Sequence, residues 1–156
     1  MNEIRQGNKQ FRKGCKTMEF SQYKTMIIDD SKTIRRSAET LLSKVGCQVL
    51  TAENGFEALS VINAEHPDII FVDIMMPRLD GYQTCSLVKS NPNFSSIPII
   101  MLSSKDGLFD RAKGRVVGAE AYLTKPFSKD ELIAALRTHL KDIPTIQPPT
   151  QTARLQ

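Results

Sequence analysis

Five short apolar runs, each followed by a helix-like segment, constrain the fold more than any other feature of the chain. The runs are mostly apolar, without a regular polar alternation, which is typical of strands covered on both faces. They are Lys24–Ile28 (KTMII), Gln48–Ala52 (QVLTA), Asp68–Val72 (DIIFV), Pro98–Leu102 (PIIML) and Ala121–Thr124. Together they predict an α/β fold, with a five-stranded parallel sheet that is open and doubly wound by right-handed crossovers.

Helical periodicity fills the intervals between these runs. Apolar spacing predicts helices over Thr33–Val45, from Asn54 or Gly55 through Ile62, from Gly81 through Val88 and, more weakly, over Leu108–Val117. The last helix is predicted in SKDELIAALRTHL, because Ser128 and Glu131 have the spacing of a capping box.

Charge and composition divide the 156 residues into three segments. Residues 1–23 carry five basic and two acidic residues, and so +3 of the net charge of +4. We interpret this leader as disordered, or as the product of an upstream start codon with Met18 as the native start. Residues 24–141 are the predicted domain. Residues 142–156 are rich in Pro, Thr and Gln, and are predicted to be a disordered tail.

The sequence shows no sign of secretion or of a membrane span. No apolar run approaches the length of a span, and the first 23 residues lack the apolar core of a secretory signal. The cysteines Cys15, Cys47 and Cys85 are scattered and lack metal-ligand spacing. We therefore expect reduced thiols and a cytoplasmic protein.

Polar side chains stand where the predicted strands end. Asp29 and Asp30 follow the first strand, Asp73 the third, Ser103 the fourth and Lys125 the fifth. Ligands of doubly wound sheets bind at the carboxyl ends of the strands, so these five groups are expected to converge. Taken singly, each has a plainer interpretation as a helix N-cap, a turn residue or a solvated lysine.

The chemistry of this set indicates phosphoryl transfer. Clustered carboxylates repel one another unless a cation neutralises them, and a few hard oxygen ligands suit Mg²⁺. A carboxylate nucleophile beside Mg²⁺, the Lys125 ammonium and the Ser103 hydroxyl would yield an acyl phosphate. The sequence has no Gly-rich phosphate loop, so a nucleotide is not the obvious donor.

Four motifs, MIIDDS, FVDIMMPRLDGY, PIIMLSS and AYLTKPF, span roughly residues 24–140 in this order. They resemble the receiver domain of two-component response regulators, the CheY-like family with a flavodoxin-like fold. The resemblance implies that Asp73 is the phosphoacceptor and that Asp29, Asp30, Asp73 and the Met75 carbonyl bind Mg²⁺. It also implies that the side chains of Met75 and Lys105 influence the lifetime of the phosphate.

The same resemblance implies how the modified site is read. Ser103 and Lys125 would bind the phosphoryl group, a partner that both are expected to lack before phosphorylation, and the peptide bond from Lys125 to Pro126 would be cis. Tyr122 matches the aromatic residue that turns inward on activation. Gly107 and Gly114 weaken the helix at Leu108–Val117, and our hypothesis is that this helix, Tyr122 and the last helix form a partner-binding face.

The expected function is that of a single-domain response regulator, phosphorylated by a histidine kinase or phosphotransfer domain of a chemotaxis-like system. The chain would be the substrate of that transfer and not an enzyme. IDDSKTIRRSAETLL and MLSSKDGLFDRAKGRVVG resemble twitching-motility regulators of type IV pilus systems, so the output partner is expected in the pilus machinery. The 13 residues from Pro144 to Gln156 are too few for a DNA-binding domain, and direct DNA binding is not expected.

Several alternatives remain open from sequence. The chain could be a phosphorelay intermediate, a chemotaxis regulator with another output, or an adaptor that works without phosphorylation. A phosphohydrolase with an aspartyl-phosphate intermediate would be expected to carry a second Asp where Met75 stands. A nucleic-acid-binding protein would use the basic leader, which lacks interleaved aromatic residues.

Overall fold

Strands and helices alternate along the chain in the computed structural model, which describes residues 20–104, 113 and 115–140. In chain order the elements are β1 (Lys24–Ile28), α1 (Lys32–Lys44), β2 (Gln48–Ala52), α2 (Gly55–Glu65), β3 (Ile69–Asp73), α3 (Gly81–Lys89), β4 (Ile99–Ser103), β5 (Ala121–Thr124) and α4 (Lys129–His139). Lys113, Arg115 and Val116, which lie between β4 and β5, also have helical backbone.

The five strands form one parallel sheet in the order β2-β1-β3-β4-β5. The chain moves outward from β1 to β2, then returns across β1 to add β3, β4 and β5 on the other side. The direction of winding therefore reverses between β1 and β3. Sheets of this kind bind ligands in the crevice at that reversal, outside the carboxyl ends of the strands.

Successive residues of each strand face opposite layers, which is why the central strands β1, β3 and β4 are largely apolar on both faces. Met26 and Ile28 pack on the side of α2 and α3, whereas Ile27 packs on the side of α1 and α4. The same alternation holds in β3, where Ile70 and Val72 face the first layer and Phe71 faces the second. Both faces are thus covered, and the fold class predicted from sequence is confirmed.

Most element bounds match the prediction, with shifts that have a simple cause. β1, β2 and β5 cover the predicted residues, whereas β3 and β4 begin and end one residue later. Pro98 has no N–H to donate to a ladder, so β4 begins at Ile99. The predicted helix at Leu108–Val117 and the predicted tail, residues 142–156, lie largely or wholly outside the described residues.

The predicted leader ends too late in the sequence. The predicted leader includes residues 20–23. Phe20, however, is completely buried and Tyr23 is nearly so, in the layer that contains α1 and α4. The Phe20 N–H also donates to the carbonyl of Val45, just beyond α1. Burial of two aromatic side chains makes this stretch part of the domain. Residues 1–19 lie outside the described part of the chain.

Polar side chains cap the helices that approach the sheet edge. Ser31 caps α1, Asn54 caps α2 and Asp80 caps α3, each accepting from the backbone N–H three residues later. Ser128 caps α4 in a capping box with Glu131, as predicted. None of the helices in the described part of the chain is long and apolar enough to cross a membrane.

Gly81 brings the start of α3 against the end of β3. Its N–H donates to the Ile74 carbonyl at 3.0 Å. A Cβ at this position would lie 2.8 Å from the Cα of Ile74 and would overlap the carbonyl oxygen of Asp73. Only glycine therefore lets α3 lie this close to the strand that carries Asp73.

We expect Gly81→Ala to lower the free energy of unfolding by about 2 kcal/mol, because the added methyl group meets backbone atoms that cannot turn aside. Alanine would otherwise be favoured in a helix by about 1 kcal/mol. Chemical denaturation measures the change. Ser86→Ala, at an exposed position of the same helix, is the control and should change stability by less than about 0.5 kcal/mol. Equal stability of Gly81→Ala and the wild type would contradict this account of the contact.

Candidate functional site

Three carboxylates meet at the carboxyl edge of the sheet. β1 and β3 are neighbours, and their register pairs Ile28 with Val72, so the next residues along each chain are Asp29 and Asp73. One carboxylate oxygen from each of Asp29, Asp30 and Asp73 lies within 4.8 Å of the others. Asp29 and Asp73 are buried and Asp30 is exposed, so the cluster opens to solvent on one side.

Lys125 bridges the two buried carboxylates. Its Nζ lies 3.1 Å from Oδ2 of Asp29 and 3.1 Å from Oδ1 of Asp73. The expectation that Lys125 lacks a partner before phosphorylation is therefore wrong. Two carboxylates buried side by side repel each other, and a cation between them reduces that repulsion.

The site shifts the acidity of both partners. Burial and the nearby charge of Asp29 raise the pKa of Asp73 from 3.8 to about 6, against the opposing effects of Lys125 and of the Met75 N–H. Burial lowers the pKa of Lys125, but its bonds to Asp73 and Asp29 together outweigh this and raise the pKa above 10.5. Near neutral pH, Asp73 is mostly ionised and Lys125 is protonated.

Asp29 is fixed through its backbone as well as its side chain. Its N–H donates to the Ala52 carbonyl at 3.1 Å, and its carbonyl accepts from Nη1 of Arg35 at 2.8 Å. Its Oδ1 accepts from the Ser31 N–H at 2.9 Å and its Oδ2 from Lys125. The residue is completely buried, so both ends of the carboxylate have a set direction.

Ser103 and Tyr122 lie on the two strands beyond β3. Ser103 is the last residue of β4 and is buried, and its carbonyl accepts from the Lys125 N–H at 2.6 Å. The peptide bond from Lys125 to Pro126 is cis. Tyr122 is half-buried on β5 and packs against the layer that contains α2 and α3. The sheet thus brings Ser103 and Lys125 to the edge where the three aspartates meet.

Met75 and Lys105 are the two residues expected to tune the phosphate lifetime. The Met75 side chain is 72% exposed, and its N–H donates to Oδ1 of Asp73 at 3.4 Å. The roles of its side chain and carbonyl stay predictions. Lys105 lies outside the described residues.

Arg35 is the residue of the site that the sequence did not single out. The available signal was the basic start of α1, where Lys32, Arg35 and Arg36 occupy the first turns and no acidic residue does. Helix dipoles favour acidic residues at this end, so basic residues there point to nearby negative charge. The carboxylates of Asp29 and Asp30 supply it.

The donor set fits a hard divalent cation. All three groups that converge offer carboxylate oxygen, the preferred ligand of Mg²⁺, and one of them faces solvent. The cysteines in the described residues, Cys47 and Cys85, are free, buried thiols and are not among the clustered groups, which argues against a soft metal. The Lys125 ammonium already lies between the carboxylates of Asp29 and Asp73, which shows that this cluster attracts positive charge.

The chain is similar to proteins of known sequence. Protein PilG of Pseudomonas aeruginosa is 70% identical over 117 residues, which are 75% of this chain and 87% of PilG. The "Probable transcriptional regulator ycf27" of Cyanophora paradoxa is 44% identical over 124 residues, 80% of this chain. The chain spans about half the length of that relative, 51%.

Solved structures with the same fold include chemotaxis protein CheY4 of Vibrio cholerae, with a TM-score of 0.73 and 31% identity over 76% of this chain and 98% of CheY4. The receiver domain of the Francisella response regulator 1452 has a TM-score of 0.70 and 36% identity, over 76% of this chain and 97% of that domain. The profile of the response regulator receiver domain matches residues 25–137. With its three clustered aspartates and its bridging lysine, the chain belongs to the response regulator receiver family.

Proposed function

We propose that this protein is a Mg²⁺-dependent phosphoacceptor, phosphorylated on Asp73 by a histidine kinase or phosphotransfer domain, that signals through a protein-binding face. The observation that carries the proposal is the cluster of Asp29, Asp30 and Asp73 with Lys125 bound between two of them. Asp73 thus has beside it the carboxylates that would hold the cation and the ammonium group that would bind phosphate. The chain is the substrate of this transfer and does not act as an enzyme.

The chemical step is a transfer between two nucleophiles. A carboxylate oxygen of Asp73 forms a bond to phosphorus while the bond from phosphorus to the donor histidine nitrogen breaks, and the electron pair stays on that nitrogen. Mg²⁺, when bound, neutralises phosphoryl charge and aligns the attack. Asp29 and Asp30 would hold it together with Asp73 and the Met75 carbonyl. Although its pKa is raised to about 6, Asp73 is still mostly ionised at neutral pH, as a nucleophile must be.

Phosphorylation changes what Lys125 binds. Its ammonium starts between Asp29 and Asp73, and the new phosphoryl oxygens offer stronger acceptors at the same place. Ser103, buried at the end of β4, would donate its hydroxyl to a phosphoryl oxygen. Movement at Ser103 would be transmitted to Tyr122 on the adjacent strand β5, and from there to the partner-binding face with α4.

Regulation of type IV pilus twitching motility is the output that we propose, in the cytoplasm and without direct DNA binding. The support is the similarity to PilG over most of both chains and the motifs that resemble twitching-motility regulators. Fold and site explain the phosphoryl switch, and do not by themselves specify an output. The kinase partner would then belong to a chemotaxis-like system, and the output partner to the pilus machinery.

Incubation with a small acyl-phosphate donor and Mg²⁺ is expected to add one phosphoryl group, detected by intact mass. The adduct should disappear in Asp73→Asn and when a chelator removes the metal, because the nucleophile or its counter-cation is then missing. Asp68→Asn is the matched control: the same change at the opposite edge of the sheet, where Asp68 accepts from the Lys24 N–H. A wild-type protein that is folded and takes no phosphate would contradict the proposal and favour an adaptor that works without phosphorylation.

In chelator, Asp73→Asn is expected to be more stable than the wild type above pH 6. The pKa of Asp73 is higher in the folded chain than its ordinary value, so the folded state binds more protons between pH 4 and 6 and loses stability as pH rises. A shift of this size corresponds to about 3 kcal/mol at most. Thermal unfolding of both proteins across this pH range measures the difference. Lower stability of Asp73→Asn at pH 7.5 would contradict the electrostatic account.

The pilus assignment predicts the outcome of a complementation assay. In a Pseudomonas aeruginosa strain that lacks PilG, the wild-type chain should restore twitching and Asp73→Asn should not, because the switch needs the phosphoacceptor. Asp68→Asn, produced at the same level, should behave as the wild type. Zone diameters on agar are the readout. Full restoration by Asp73→Asn would separate the pilus role from phosphorylation.

A further inference from the structure

Arg35 contacts the backbone of Asp29, whose carboxylate is one of the proposed metal ligands. Its Nη1 donates to the Asp29 carbonyl at 2.8 Å, and its Nη2 lies 3.9 Å from Oε1 of Glu53. The Arg35 side chain is only 18% exposed. It therefore connects the residue after β1 to the residue after β2.

The Asp29 carbonyl needs such a donor because the strand pairing ends there. The last paired residues of β1 and β2 are Ile28 and Ala52, and the Asp29 N–H makes one more bond, to the Ala52 carbonyl. A buried carbonyl without a hydrogen-bond partner is destabilising. The guanidinium of Arg35 satisfies this carbonyl from α1, so the backbone of Asp29 is held from two sides.

The position of Arg35 on α1 makes this contact possible. Its own N–H donates to the Ser31 carbonyl, which places it just after the first turn. Side chains on a helix lean toward its N-terminus, and this direction carries the guanidinium back toward Asp29. A cation at this end of a helix is disfavoured by the helix dipole, and the contact with Asp29 offsets that cost.

We propose, on the basis of the proposed function, that Arg35 is a positioning residue for Mg²⁺. It fixes the backbone of Asp29 and thereby the direction of a carboxylate that is already bound by Ser31 and Lys125. Partners that orient a metal ligand typically change metal affinity by about 10–100-fold when they are removed. Arg35 acts on affinity for the cation and takes no part in the bond-making step.

Two effects of Arg35 on the cation oppose each other, and a neighbouring residue separates them. Its positive charge repels Mg²⁺, whereas its hydrogen bond to Asp29 organises the site. Arg36 is next in the same helix and is exposed, so removing it deletes the adjacent positive charge and leaves the hydrogen bond to the Asp29 carbonyl intact. Exposed charges are screened by salt, so the change at Arg36 should be small.

The experiment is calorimetric titration of Mg²⁺ into Arg35→Met and Arg36→Met without any phosphodonor. Methionine keeps much of the buried stem and removes both the donors and the charge. The expected Kd for Mg²⁺ rises about tenfold or more in Arg35→Met and changes less than about twofold in Arg36→Met. Thermal unfolding in chelator, run in parallel, shows whether each variant is folded. Glu53→Gln tests the exposed ion pair, which should contribute little to affinity.

An unchanged or tighter Kd in Arg35→Met, or an equal loss in Arg36→Met, would overturn the inference. If Arg35→Met does not fold, Arg35→Lys replaces it: the planar fork is lost, a weakening of about threefold is expected, and wild-type affinity would overturn the proposal. Wild-type protein that binds Mg²⁺ but takes no phosphate would overturn the proposed function alone. Wild-type protein that binds no Mg²⁺ would overturn both.

Discussion

The ammonium group of Lys125 holds two buried carboxylates together, and the remainder of the site depends on that charge balance. Asp29 and Asp73 both lie at the end of strands whose surroundings are apolar, where an unpaired negative charge is costly. Lys125 neutralises part of this charge at 3.1 Å from each. The remaining negative charge, with Asp30 at the open side, is what a divalent cation or a kinase-delivered phosphoryl group would encounter.

The sheet positions these groups through two physical constraints. Strands that are apolar on both faces must be covered by helices on both sides, so polar groups are pushed to the strand ends. The reversal of winding between β1 and β3 leaves their carboxyl ends without a crossing connection, and Asp29 and Asp73 lie there. Gly81 adds a third constraint, because its missing side chain lets α3 start directly against Asp73 and Ile74.

The three aspartates differ in how firmly they are held. Asp29 is bound through its N–H, its carbonyl and both carboxylate oxygens, whereas Asp30 is exposed. One carboxylate of the cluster is therefore rigid, whereas another faces solvent. Arg35 lies on the rigid side of the cluster, where its hydrogen bond helps to hold Asp29.

Sequence alone determined the alternation of elements, the parallel sheet and the convergence of Asp29, Asp30, Asp73, Ser103 and Lys125, because apolar strands and polar strand ends are local patterns. The motifs also identified the receiver family, which the comparisons with known proteins confirm. Only the tertiary structure decided that Lys125 is already paired, that Phe20 and Tyr23 belong to the core, and that Arg35 holds Asp29. All three findings depend on contacts between residues of different parts of the fold. Neither the spacing of residues nor the composition of the chain reveals such contacts.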